Sequence, residues 1–190
     1  MDESDPDRKE IYHRLKNHMA VINSLIRLKA SSTEDLPAMN ALEETGGLVS
    51  AVTLVYQLLY RNAGEAGIPV SWYIRELIDH LEQTLTRRLP EFSFNLPSEK
   101  YQISPEKAVP LGIMVAELII DSAEGPVLTV SLEPSDDGAG GWVFSFSRYI
   151  SSEDLSGLML AGSLVSQLDG RILPGDSFSV AFSEGLLSSG

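Results

Sequence analysis

Five apolar residues near the N-terminus are separated by three or four positions: Ile11, Leu15, Met19, Ile22 and Ile26. This spacing is typical of one face of an amphipathic α-helix. The pattern predicts a first helix over residues 7–30. Residues 31–37 are small, polar or proline, so the chain is expected to turn there.

A second helix is predicted to end near residue 61, with Asp35 as its N-cap. It carries a seven-residue repeat of large side chains at Leu42, Val49 and Tyr56. Gly46 and Gly47 lie inside this repeat and predict a kink or a close approach of another helix. Two antiparallel helices cannot cover both of their apolar faces, so we expect a homodimer that closes a four-helix bundle.

Beyond a linker at residues 62–67, helical and alternating patterns are mixed. Helices are predicted over residues 71–86, from Pro105, and over 155–168. Strands are predicted over residues 91–95, 101–103, 127–132, 142–148, 171–173 and 178–182. The chain is therefore predicted to be α+β, with a dimerising helical hairpin over residues 1–64 and a mixed unit over residues 68–190.

The composition excludes several classes of protein. The chain has no cysteine, which excludes disulfides and thiolate metal sites, and it has a net charge of −13, which argues against nucleic-acid binding. No apolar run reaches the roughly 18 residues of a membrane span. An acidic N-terminus argues against a secretory signal, so we expect a cytoplasmic protein. Residues 8–29 nevertheless carry six of the fourteen basic side chains, a charge that suits an acidic partner.

His13 is the main candidate for chemistry. At about 100° per residue it points almost opposite the apolar stripe, towards water. An imidazole near neutral pH is a nucleophile, and the nearby Arg14, Lys16 and Asn17 offer the cationic and amide groups that suit a phosphoryl group. This arrangement favours a histidine that accepts a phosphoryl group and passes it on.

Three segments carry a family resemblance. Glu10-Ile11-Tyr12-His13-Arg14-Leu15-Lys16-Asn17, with residues 21–28, resembles the phosphoacceptor helix of bacterial sensor histidine kinases that carry a His-Arg-x-Lys-Asn motif. Residues 52–60 are similar to the end of that family's second dimerisation helix, and residues 109–118 to the start of its ATP-binding helix. The resemblance covers about residues 8–174 and implies that the second unit is a reduced form of the kinase α/β sandwich.

The resemblance fails where that family binds ATP. Ala116 and Asp121 stand where the family has the asparagines that hold magnesium, and Ser147 begins a segment without the family's Asp-x-Gly loop. The run Asp136-Asp137-Gly138 resembles that loop but lies between two predicted strands, where a hairpin turn is expected. The glycine-rich lid is absent as well. The likeness therefore implies a degenerate ATP-binding domain.

The combined interpretation is a dimeric histidine phosphotransferase that relays phosphoryl groups between response-regulator receiver domains, without ATP-dependent autophosphorylation. His13 is the catalytic residue, supported by Arg14, Lys16 and Asn17. Receiver docking is assigned to Ala20, Val21 and Ser24, which continue along the helix. No cofactor is expected on this chain, because the receiver would bring its own magnesium. An upstream histidine kinase is a further possible partner.

Two other functions stay open. One is an active kinase with a divergent nucleotide site, and the other is a non-catalytic module that blocks a kinase or a receiver. Among the other histidines, His18 is expected to pack in an interface and His80 to be structural or exposed. The histidines are not spaced as metal ligands. Asp121 and Glu124 are remnant metal ligands or, more simply, a solvated helix end.

Overall fold

The computed structural model describes residues 5–61, 67–85, 89–121, 127–135, 141–147, 159–175 and 177–189. It begins with an antiparallel pair of long helices, α1 (Asp5–Ser31) and α2 (Leu36–Arg61). The backbone N–H of Ala38 donates to Oδ2 of Asp35 over 3.1 Å, which confirms Asp35 as the N-cap of α2. The predicted helical hairpin is therefore present.

Three further helices and eight strands follow the hairpin within the described part of the chain. The helices are α3 (Val70–Thr84), α4 (Pro105–Ile120) and α5 (Met159–Gln167). The strands are β1 (Ile68–Pro69), β2 (Phe92–Asn95), β3 (Tyr101–Ile103), β4 (Leu128–Pro134), β5 (Trp142–Phe146), β6 (Arg171–Leu173), β7 (Phe178–Phe182) and β8 (Leu187–Ser189). A 3₁₀ turn, Glu184–Leu186, leads into β8. Most of the predicted linker, residues 62–66, and the first part of the helix predicted over 155–168 lie outside the described residues.

The strands form two sheets. The larger has the order β2-β4-β5-β7-β6, in which β2 and β4 are parallel and every other pair is antiparallel. The smaller has the order β1-β3-β8 and is antiparallel. The fold is α+β with a helical hairpin ahead of a mixed sheet, as the sequence predicts.

One hydrophobic core joins the hairpin to the rest of the fold. Alternate residues of β5 are buried, and Phe144, fully buried, lies opposite Val180 of β7. The same cluster of buried side chains includes Leu54 and Leu58 of α2. Helix α2 therefore packs on α1 with one face and on α3 and α4 with another. The predicted domain limits, residues 1–64 and 68–190, stay a prediction.

The two glycines of α2 lie at these helix crossings. A Cβ on Gly46 would lie 3.3 Å from Oδ1 of Asn23 on α1. A Cβ on Gly47 would lie 2.7 Å from Cδ1 of Ile120 on α4. Both glycines are buried, so the close helix approach predicted from them is confirmed.

Candidate functional site

His13 lies on the exposed side of α1. Its Nδ1 is 3.4 Å from Nδ2 of Asn17, one helical turn further along. Residues four apart are neighbours on a helix surface, which explains why the sequence brings this pair together. The pair combines an imidazole with an amide at the surface of the hairpin.

The two predicted cationic supports are placed differently. The guanidinium of Arg14 forms an ion pair with Glu10, the residue one turn before it. Lys16 is half-buried. Counting about 100° per residue, Arg14 is directed about 100° to one side of His13 and Lys16 about 60° to the other. Lys16 thus lies nearer to the His13 face than Arg14 does.

The three predicted docking residues are exposed but do not share one direction. Ala20 and Ser24 each lie within about 20° of the direction of His13, whereas Val21 lies about 80° from it. The hydroxyl of Ser24 donates to the backbone carbonyl of Ala20 over 2.8 Å. Ala20 and Ser24 therefore continue the His13 face, and Val21 borders another surface.

That other surface is apolar. Of the stripe predicted from the sequence, Leu15, Met19 and Ile26 are half-buried against α2, whereas Ile11 and Ile22 face outwards. Three apolar residues from outside the stripe, Val21, Leu25 and Leu28, face outwards as well. Among the outward residues Ile11 and Leu25 are each 61% exposed, and Leu28 is 66% exposed. We call the outward set the α1 apolar face: Ile11, Val21, Ile22, Leu25 and Leu28. His18 is exposed, and its direction around the helix axis lies between those of Ile11 and Leu25. Its role in an interface stays a prediction.

A cleft of about 200 Å³, lined mostly by residues of polar type, lies between α1, α2 and α3, and we call it the three-helix cleft. It is lined by Ala20, Asn23, Ser24, Arg27, Ser50, Thr53, Gln57 and His80. Within it the amide Nδ2 of Asn23 donates to the hydroxyl of Ser50, which is 1% exposed. Oδ1 of Asn23 is buried and has no hydrogen-bond partner among the described residues.

His80 is half-buried at this cleft. Burial and the Arg27 guanidinium lower the pKa of His80 below its ordinary value of 6.5, and Glu76 acts in the opposite direction. His80 is therefore neutral at pH 7, and the positive charge at the cleft comes from Arg27.

In the region that resembles an ATP-binding domain, Ala116 is fully buried within α4 and Asp121 is the exposed C-cap of that helix. Strands β4 and β5 pair antiparallel up to Pro134 and Trp142, and the N–H of Ser135 donates to the carbonyl of Gly141 over 2.8 Å. This pairing brackets the predicted hairpin turn, whose residues 136–140 lie outside the described ones, as do Glu124 and the segment after Ser147. In the described ranges no group of three or more His, Asp or Glu residues could hold a metal ion. The cofactor expectation stays a prediction.

The sequence predicts Asn17 as a support for the phosphoryl group, but neither its contact with the His13 ring nor the three-helix cleft is predicted. Arg27 follows His13 by fourteen residues, close to four full turns of a helix. That spacing was the available signal for a second group on the His13 face. Ser50 and His80 reach the cleft from other elements, and spacing along α1 carries no information about them.

Comparison with known proteins finds similarity to histidine kinases. Residues 10–85 match the family model HisKA_2, described as histidine kinase. The sensor histidine kinase PdtaS of Mycobacterium tuberculosis is 27% identical, with 88% of this chain and 36% of that protein covered. Blue-light-activated histidine kinase 2 of Erythrobacter litoralis is 26% identical, with 92% of this chain and 46% of that protein covered. The chain thus spans between about a third and a half of the length of these relatives.

Solved structures agree on the fold. The histidine kinase domain of the Erythrobacter litoralis EL346 blue-light-activated kinase superposes with a TM-score of 0.55 at 22% identity, covering 96% of this chain and 92% of that one. The Acinetobacter baumannii histidine kinase AdeS gives a TM-score of 0.50 at 15% identity, covering 91% of this chain and 98% of that one. Together the matches support a histidine kinase-like domain. No described helix has both the length and the hydropathy needed to cross a bilayer.

Proposed function

We propose that this chain is a histidine phosphotransferase in which His13 exchanges a phosphoryl group with the aspartyl phosphate of a response-regulator receiver domain. The observation that carries the proposal is the exposed His13 on a kinase-like helical hairpin, with the Asn17 amide beside its ring. The proposal does not require this chain to bind ATP.

The contact with Asn17 prepares the ring for attack. Amide oxygen and nitrogen are interchangeable by a 180° turn of the side chain. With Oδ1 towards the ring, Asn17 accepts the Nδ1–H of neutral His13, and in this tautomer Nε2 carries the lone pair that attacks. Nε2 attacks the phosphorus, the N–P bond forms, and the P–O bond to the aspartyl carboxylate breaks. The carboxylate leaves with the electron pair, and the reverse reaction passes the group to another receiver.

Charge and position supply the catalysis. Phosphoryl transfer depends mostly on alignment and on stabilisation of the charge on the three transferred oxygens. Lys16 is directed about 60° from His13 on the helix and is the nearer of the two predicted cations. Arg14, which forms an ion pair with Glu10, supplies the second positive charge. The magnesium is expected to come from the receiver.

The ATP-binding region supports a relay rather than a kinase. Ala116, where the resembling kinases have a magnesium-holding asparagine, is buried and apolar and offers no metal ligand. Asp121 at the end of α4 has a carboxylate, but it belongs to the exposed helix terminus.

A second candidate function is a sensor histidine kinase with a divergent nucleotide site. The observation that favours it is that the relatives aligned over most of this chain are themselves described as sensor histidine kinases. In this function Nε2 of His13 would attack the γ-phosphorus of ATP bound to the second unit, the bond from that phosphorus to the bridging oxygen would break, and ADP would leave with the electron pair.

A phosphate-transfer assay separates the two functions. The wild-type protein, His13→Ala and the control His18→Gln are incubated with γ-labelled ATP and, separately, with labelled phospho-receivers. We expect label only from receivers, in the wild type and in His18→Gln. Label taken from ATP alone by the wild type but not by His13→Ala would establish the kinase. Absence of label in both arms would contradict both functions and favour the non-catalytic module.

A further inference from the structure

The three-helix cleft adjoins the face of α1 that carries His13. Counting about 100° per residue, Ala20 and Ser24 lie within about 20° of the direction of His13, and Arg27 within about 40°. All three line the cleft, and all three are exposed. A single strip along α1 therefore runs from the phosphoacceptor to the cleft.

The strip is short enough for one partner to cover. At 1.5 Å per residue, Arg27 lies about 21 Å from His13 along the helix. A small folded domain is about 30 Å across. A domain that places its phosphoryl group at His13 and lies along this strip also covers the cleft.

The chemistry of the cleft favours an anion. No Asp or Glu is among its lining residues. Arg27 forms no ion pair with any residue that the structure describes. Ser50 is almost fully buried and accepts from Asn23, and its own O–H has no acceptor among the described residues. A carboxylate inserted here would meet a guanidinium and a hydroxyl donor, and hydrogen bonds to a charged group are the stronger ones.

The third wall comes from outside the hairpin. His80 belongs to α3, the first helix of the unit that resembles the ATP-binding domain. This unit is packed against α2 through the shared core, so His80 is held in place relative to α1. The second unit therefore completes a pocket next to the phosphotransfer face.

We propose that the three-helix cleft receives an acidic side chain of the protein that docks over His13, with Arg27 as its ion-pair partner and Ser50 as a hydrogen-bond donor. The inference rests on the proposed phosphotransfer function. It adds a binding determinant that is separate from the chemistry. It also gives the kinase-like second unit a role in choosing the partner that does not depend on nucleotide.

The test separates docking from chemistry. Four proteins are compared: the wild type, Arg27→Gln, Arg27→Glu and the control Arg171→Glu. His13 of each protein is first phosphorylated with phosphoramidate, which donates its phosphoryl group to Nε2 and releases ammonia. Transfer to receiver domains is then followed at increasing receiver concentration. Arg171 is an exposed cation on β6, so its reversal matches the change in net charge.

We expect equal loading of all four proteins. The receiver concentration for half-maximal transfer should rise about tenfold in Arg27→Gln and further in Arg27→Glu, with the rate at saturation and the Arg171→Glu values unchanged. An unchanged half-maximal concentration in Arg27→Glu overturns the inference while the phosphotransfer function stands. Wild-type protein that loads but transfers to no receiver overturns both.

A small anion is the other possible occupant. If inorganic phosphate at millimolar concentration raises the melting temperature of the wild type but not of Arg27→Glu, and Arg27→Glu transfers like the wild type, the cleft is a small-anion site. That result also overturns the inference. No effect of phosphate, together with the tenfold rise, supports it.

Discussion

At the scale of single residues, His80 links the polar chemistry of the cleft to stability. Its pKa is lowered in the folded protein by burial and by Arg27, while Glu76 opposes the shift. The unfolded chain therefore binds more protons than the folded protein at pH values between the lowered pKa and 6.5. The stabilising contribution is complete above 6.5 and is lost as the pH falls through 6.5 towards the lowered value.

Replacing His80 should flatten this dependence. We expect the free energy of unfolding of His80→Gln, measured by urea titration at several pH values, to fall less than that of the wild type between pH 7 and pH 5. His18→Gln removes an exposed imidazole and is the matched control. Equal slopes in the wild type and His80→Gln would mean that His80 has the same pKa in both states.

Asn17 should matter for transfer and not for folding. Removing a hydrogen bond to a charged or reacting group typically costs about 1.5–3 kcal/mol, which corresponds to roughly a tenfold to hundredfold slower rate. We therefore predict that phosphoryl transfer by Asn17→Ala is slowed by roughly that factor. Asn40→Ala, an exposed asparagine on α2, is the control. Equal rates for the two variants would remove Asn17 from the proposed mechanism and leave His13 in place.

At the scale of helices and strands, the crossing of α3 and α4 depends on one glycine. A Cβ on Gly112 would lie 1.8 Å from the hydroxyl oxygen of Tyr73, which is fully buried and donates to the carbonyl of Ala108 over 2.7 Å. Burial raises the pKa of Tyr73, so this hydroxyl stays protonated as a donor. An alanine at this position must displace the ring and break the bond.

Gly112→Ala should therefore destabilise the protein by about 2–4 kcal/mol, from overpacking and the lost hydrogen bond together. Gly162 on α5 is the matched control, because a Cβ added there would meet no atom within 4 Å. Gly162→Ala should instead stabilise by up to about 1 kcal/mol through helix propensity. Chemical denaturation of both variants tests the pair, and a neutral Gly112→Ala would show that α3 and α4 separate easily.

The elements differ in how well the sequence predicts them. Strands β6 and β7 lie where the alternating pattern places them, and α4 begins at Pro105 as expected. Strands β1 and β8, of two and three residues, are missed because their pairing with β3 defines them as strands and they carry no pattern of their own. Their partner is β3, and pairing between distant segments leaves no local signal.

The candidate site divides in the same way. His13 and Asn17 lie four residues apart on one helix, so their spacing accounts for the contact that the structure shows. The contact between Asn23 and Ser50 joins residues 27 positions apart, and His80 comes from a third helix. The cleft forms where α1, α2 and α3 pack together. The hydrophobic periodicity of each helix does not predict which helices meet.

At the scale of the whole molecule, the residues that the structure describes cover α1 on one side only. Its half-buried residues contact α2, while the α1 apolar face stays in water, with Leu25 61% exposed. In an isologous dimer this face would meet its own copy, and each buried leucine side chain would contribute about 1.5–3 kcal/mol. The direction of His13 lies about 120° from Leu25 on the helix, so the phosphoacceptor stays accessible in such a dimer.

Leu25→Glu should therefore convert the expected homodimer to a monomer, because the two-fold axis places two carboxylates in or near an apolar interface. Light scattering coupled to size-exclusion chromatography measures the mass. Val127→Glu is the control, since Val127 is 53% exposed and lies ahead of β4, outside the hairpin. A dimer that survives Leu25→Glu but not Val127→Glu would move the interface to the second unit. Transfer by the monomeric variant would show that each hairpin presents a complete His13 face, because His13, Asn17 and the three-helix cleft all belong to one chain.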